Sequence, residues 1–147
     1  MYCGLGFPAK HYFADKARTF LKGIQMPKKI LVVDDEINIL SLIVLRLQEN
    51  NYEVFAASDG MQAVKFAHDR QPDLIILDLK MPAGGGMGAY EKLKMSTKTA
   101  LIPIIFITAY GTEDIRQRLL DKGARDFITK PFKNAELLQK VKNILGE

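Results

Sequence analysis

One cysteine, Cys3, stands in the 147 residues, so no internal disulfide can form, and no cysteine spacing of a metal site is present. Nothing in this usage suggests an oxidising compartment, and a reducing cytoplasm is the expected location. No apolar run approaches the roughly 20 residues that span a bilayer, and the N-terminus lacks the uninterrupted apolar stretch of a secretory signal. A soluble protein without membrane contact is expected. Excess charge is also scarce outside one segment. Lys10, Lys16, Arg18 and Lys22 against Asp15 give residues 1–25 a basic balance, and the rest of the chain holds 17 bases against 16 acids. A nearly neutral body gives little support to direct nucleic-acid binding. The length and the 48% hydrophobic content suit one well-buried domain, and a second is not expected.

From Pro27 onward, short apolar runs alternate with helical patterns, the signature of a doubly wound α/β sheet. Five rounds are visible. The first strand is expected over about Lys28 to Val33, followed by a helix with Ile39, Leu40, Ile43, Val44 and Leu47 on one face and a stop near Asn50-Asn51. The second strand, about Glu53 to Ala57, leads into a helix opened by Ser58 or Asp59. The third ends at Asp78. Proline and glycine in Met81-Pro82-Ala83-Gly84-Gly85-Gly86 predict a loop without regular structure, ahead of a helix ending near Lys94 or Met95. Strand four is expected over about Ile102 to Ile107, ending at Thr108, with a helix from about Thr112 to Lys122 stopped by Gly123. Strand five, about Arg125 to Thr129, gives way at Lys130-Pro131 to a last helix carrying Leu137, Leu138, Val141, Ile144 and Leu145.

Residues 1–25 stand outside this rhythm as an N-terminal extension of residues 26–147. Phe13, Ala17, Phe20, Leu21 and Ile24 recur at helical spacing, which allows a short amphipathic helix, while disorder is equally compatible with so short a segment. Met26 is an alternative natural start, in which case the leader is non-native.

Ligands of an open parallel sheet bind outside the carboxyl ends of its strands. Asp34, Asp35, Asp78, Thr108 and Lys130 all fall at such ends. Each alone has an ordinary explanation: an acid after a strand often caps the next helix, a threonine suits a strand end, and a lysine is commonly solvated. Five at one sheet edge point to chemistry. Carboxylates held close raise one another's proton affinity unless a cation lies among them, so the acids predict a divalent-metal site. Mg²⁺ suits all-oxygen ligands around an open position, whereas zinc would want histidine or cysteine.

These residues stand in the segments Ile30-Leu31-Val32-Val33-Asp34-Asp35-Glu36, Leu77-Asp78-Leu79-Lys80-Met81-Pro82, Ile107-Thr108-Ala109 and Lys130-Pro131-Phe132. In order and spacing they resemble a receiver domain of two-component response regulators, close in size to the single-domain chemotaxis regulators. The resemblance covers about Lys28 to Leu145. It implies a flavodoxin-like five-stranded parallel sheet of order 2-1-3-4-5 with helices on both faces. It further implies that Asp78 accepts a phosphoryl group from the phosphohistidine of a sensor histidine kinase. Asp34, Asp35, Asp78 and the backbone carbonyl of Lys80 would hold Mg²⁺, while Thr108 and Lys130 would engage the phosphoryl group. Thr108 and Phe127 would form the switch, and the Lys130-Pro131 bond would be cis. Such a protein is a phosphoacceptor signalling protein that catalyses its own phosphorylation and dephosphorylation rather than an enzyme acting on other molecules.

Two departures from the family pattern stand out. Gly85-Gly86 replaces a common Asp-Gly, which bears on loop flexibility, and Tyr110 occupies a position that tunes the lifetime of the phosphorylated state. A flavin carrier of the same fold would need a phosphate-cradling loop where this chain has acids. A dehalogenase-like phosphatase would want an acid at Lys80, and a binding module that had lost phosphorylation would usually lack one of the five residues. A DNA-binding regulator would need an effector domain, and the last helical pattern ends near Glu147. Output is therefore expected through a downstream effector, a phosphotransfer protein or a homodimer formed by the face from Thr112 to Leu145.

Overall fold

The computed structural model describes residues 26–81 and 85–147. The expectations for residues 1–25 lie outside the described residues. Five strands, β1 (Lys29–Val33), β2 (Glu53–Ala57), β3 (Leu74–Asp78), β4 (Ile104–Thr108) and β5 (Asp126–Thr129), alternate with five helices. The helices are α1 (Ile37–Glu49), α2 (Gly60–Arg70), α3 (Gly85–Met95), α4 (Glu113–Asp121) and α5 (Asn134–Leu145). All pairings are parallel and the order is β2-β1-β3-β4-β5, as expected.

Successive side chains of a strand point to opposite faces, and this two-residue period divides the core in two. Leu31, Val33, Ile75, Leu77, Ile104 and Phe106 face α2, α3 and α4. Ile30, Val32, Leu74, Ile76, Ile105, Ile107 and Ile128 face Leu40, Ile43 and Leu47 of α1 and Leu137 and Val141 of α5. With both faces covered, β3 and β4 are buried at every position, which explains why they read as continuous apolar runs rather than alternating ones. The connection direction reverses between β1 and β3, so their carboxyl ends open a crevice.

Helix ends follow local chemistry. Asp59 rather than Ser58 caps α2: its Oδ1 accepts from the Gln62 amide at 2.8 Å, while the Gln62 side chain accepts from the Ser58 amide at 3.1 Å. Thr112 caps α4 by accepting from Ile115 N at 3.2 Å. Gly123, at φ 104°, follows the end of α4 as expected.

Two expectations need correction. Gly85 and Gly86 belong to the first turn of α3, not to the loop. A Cβ on Gly86 would overlap the Asp78 carbonyl oxygen, so the missing side chain lets the helix start against the end of β3. Strand β4 begins at Ile104 rather than Ile102, because Pro103 has no amide to donate and Ile102 N turns back to Thr99 O at 3.1 Å.

Candidate functional site

The crevice between β1 and β3 is where the sheet delivers its acids. Asp34 follows β1 and is fully buried, its amide held by Ala57 O of the neighbouring strand at 3.1 Å. Asp78 ends β3 and is 3% exposed, with Leu79 N tied to Ile107 O at 2.9 Å. Asp35 is exposed. One carboxylate oxygen from each of the three lies within 4.8 Å of those of the other two. Two buried acids with an exposed third leave the cluster closed below and open to solvent on one side.

Lys130 enters from the end of β5. Its amide donates to Thr108 O at 2.7 Å and the Lys130-Pro131 bond is cis. Its Nζ stands 2.9 Å from Asp34 Oδ2, 3.1 Å from Glu36 Oε1 and 3.6 Å from Asp78 Oδ2. Asp34 Oδ2 makes no hydrogen bond of good geometry, although its ion pair with that ammonium is close. The Asp34 Oδ1 atom accepts from Glu36 N at 2.9 Å, and Asp78 Oδ1 accepts from Lys80 N at 3.2 Å.

The electrostatics follow from burial. Burial first, and then the charge of Asp34, push the Asp78 carboxyl up to about 7, against the opposing pull of Lys130 and the Lys80 amide. Burial works against the charge of Lys130, but the close ion pair with Asp34, the hydrogen bond to Glu36 and the charge of Asp78 outweigh it. The ammonium pKa lies above its ordinary value. The site is thus short of positive charge even with its lysine in place. An all-oxygen donor set, a buried carboxylate oxygen without a directed donor and a strained acid proton equilibrium together fit a hard divalent cation.

The structure brings Asp34, Asp35, Asp78 and Lys130 together. Thr108 is buried at the neighbouring strand end, where its Oγ1 accepts from Tyr110 N at 3.2 Å, and it makes no hydrogen bond to the acids. Phe127 lies one strand further, 5% exposed and beside Phe106 in register. A Cβ on Gly111 would meet the Phe127 ring at 2.6 Å, so the loop after β4 lies directly on that ring. Two contacts have no signature in the sequence: Glu36 reaches Lys130 across 94 positions, and Lys80 Nζ sits 4.2 Å from the Tyr110 ring centroid. Glu36 stands in the recognised acidic segment, but only the fold reveals its partner.

Residues 30–142 match the response regulator receiver domain family. Among curated proteins, the phosphate regulon transcriptional regulatory protein PhoB of Escherichia coli is 38% identical over 120 residues, covering 82% of this chain and 52% of PhoB. The chain spans about half the length of the curated relatives it matches. Among solved structures, the chemotaxis protein CheY4 of Vibrio cholerae aligns with a TM-score of 0.76 at 30% identity, covering 81% of this chain and 99% of that one. The receiver domain of the sensor histidine kinase PA1611 from Pseudomonas aeruginosa aligns with a TM-score of 0.75 at 30% identity, covering 83% of this chain and 100% of that one. Its magnesium ion is coordinated in the active site cleft. No helix of the described residues is long and apolar enough to cross a membrane. With the family match over most of its length and the parallel sheet that delivers acids and lysine to one crevice, the chain belongs to the response regulator receiver domains of two-component systems.

Proposed function

We propose that residues 26–147 act as a phosphorylation-dependent switch in which Asp78 takes a phosphoryl group from the phosphohistidine of a sensor histidine kinase. The observation that carries this reading is the position of the Asp78 carboxylate, 3.6 Å from the Lys130 ammonium and within 4.8 Å of two further acids. An Asp78 oxygen attacks phosphorus, the phosphorus–nitrogen bond breaks, and the donor imidazole leaves with that electron pair. The product is an acyl phosphate. Asp34, Asp35, Asp78 and the Lys80 carbonyl would hold Mg²⁺, which offsets charge on the phosphoryl oxygens when bound.

Lys130 supplies the resident positive charge and would move toward a phosphoryl oxygen. The hydroxyl of Thr108 would leave Tyr110 N for another such oxygen, and Phe127 would respond to that movement. In later hydrolysis a water attacks the phosphorus and the Asp78 carboxylate leaves. The protein thus promotes chemistry on itself rather than on other molecules. Its output would pass in the cytoplasm to an effector or phosphotransfer protein, or to a second copy, through the face from Thr112 to Leu145. Residues 1–25 would be an extension outside this unit.

Incubation with acetyl phosphate and Mg²⁺ tests the assignment. The wild-type chain should acquire an acid-labile phosphoryl group and Asp78→Asn should not; undiminished label on the variant would refute it.

A further inference from the structure

Glu36 is the N-cap position of α1, yet its side chain makes no cap hydrogen bond. Ser, Thr, Asp or Asn would serve that position better, so capping does not explain a glutamate there. The carboxylate instead turns back to the crevice, where Oε1 accepts from Lys130 Nζ at 3.1 Å while the Glu36 amide donates to Asp34 Oδ1 at 2.9 Å. Three acids therefore compete for one ammonium. The outcome is uneven: the lysine lies nearest Asp34 and Glu36 and farthest from Asp78.

We propose that Glu36 is a positioning residue that draws the Lys130 ammonium off Asp78 and so keeps the acid cluster open to a divalent cation. The inference rests on the metal reading of Asp34, Asp35 and Asp78. Without Glu36 the ammonium loses a directed acceptor on the solvent side and is free to settle between Asp34 and Asp78. There it would oppose an incoming cation by charge and by volume. Glu36 is 60% exposed at its side chain, so the pair is a weak, releasable one. That suits a restraint which must yield when Lys130 moves toward a phosphoryl oxygen. Glu36 would act only through Lys130, with no contact to the reacting atoms.

A double-mutant cycle on the full chain, read as Mg²⁺ affinity by titration calorimetry, tests the idea without phosphorylation. Loss of one nearby negative charge weakens Mg²⁺ binding in any background, so the lysine-dependent part is what matters. Glu36→Gln should weaken Mg²⁺ about five- to tenfold when Lys130 is present but only about twofold with Lys130→Met, a coupling of the size expected for a partly exposed ion pair. Lys130→Gln replaces Lys130→Met in the cycle if the latter does not fold. Equal losses in both backgrounds would show that Glu36 acts as a simple charge and would overturn the proposal while leaving the metal site intact. Absence of Mg²⁺ binding by the wild-type chain would remove the metal reading and this proposal together.

Discussion

Asp78 keeps its proton to about pH 7 because burial and the neighbouring Asp34 both disfavour its charge. An acid whose folded pKa exceeds its ordinary value binds more protons in the folded state across the interval between them. Metal-free protein should therefore lose stability through this group as pH rises from about 4 to about 7, and level off above. Thermal unfolding in EDTA across that range checks the sign; a contribution that grew with pH would contradict it. Asp78→Asn removes the charge, so it should flatten the profile and raise stability at pH 8 by on the order of 2 kcal/mol. Saturating Mg²⁺ favours the ionised carboxylate and should stabilise the wild-type chain more at pH 8 than at pH 5.

At the scale of elements, α3 starts where it does because Gly86 lets its first turn rest on the Asp78 carbonyl. Gly86→Ala should cost about 1–3 kcal/mol, visible as a lower urea midpoint with an unchanged slope. An unaltered midpoint would show that the contact is soft. This helix start was not legible in the sequence, since proline and glycine in Met81–Gly86 signal loop by local preference while the reason for Gly86 is a backbone contact to the end of β3. Pro103 likewise delayed the start of β4 past the apolar residue Ile102. By contrast, β1 and β3 with their terminal acids were legible, because an apolar run that stops at a charge fixes both the strand and the edge where the charge emerges. Thr108 could be placed because the apolar run before it stops there, and Lys130 because Pro131 marks the end of the strand pattern. The hold of Glu36 on Lys130 and the stacking of Lys80 on Tyr110 could not be read, because neither the residue types nor the spacing determines which side chain a surface cation meets.

For the molecule as a whole, phosphorylation adds a charge of roughly −1.5 to −2 at one crevice, while reversing a 1:99 equilibrium takes about 5.5 kcal/mol of differential interaction. One hydrogen bond from Thr108 to a charged group would contribute about 1.5–3 kcal/mol, so in the proposed switch Lys130, the cation and repacking around Phe127 would have to supply the rest. Hydrogen exchange with and without acetyl phosphate should change in residues 112–145, and Thr108→Ala should keep its label while losing most of that change. Unchanged exchange in the labelled wild-type chain would contradict the switch. More narrowly, we propose that Asp78 is the residue that takes the phosphoryl group, with the help of a divalent cation. Peptide mapping of the chain after acetyl phosphate treatment tests it most directly. The prediction is a phosphoryl group on the peptide carrying Asp78, absent in EDTA and restored by Mg²⁺; label on Asp34 or Asp35, or label indifferent to chelation, would contradict it.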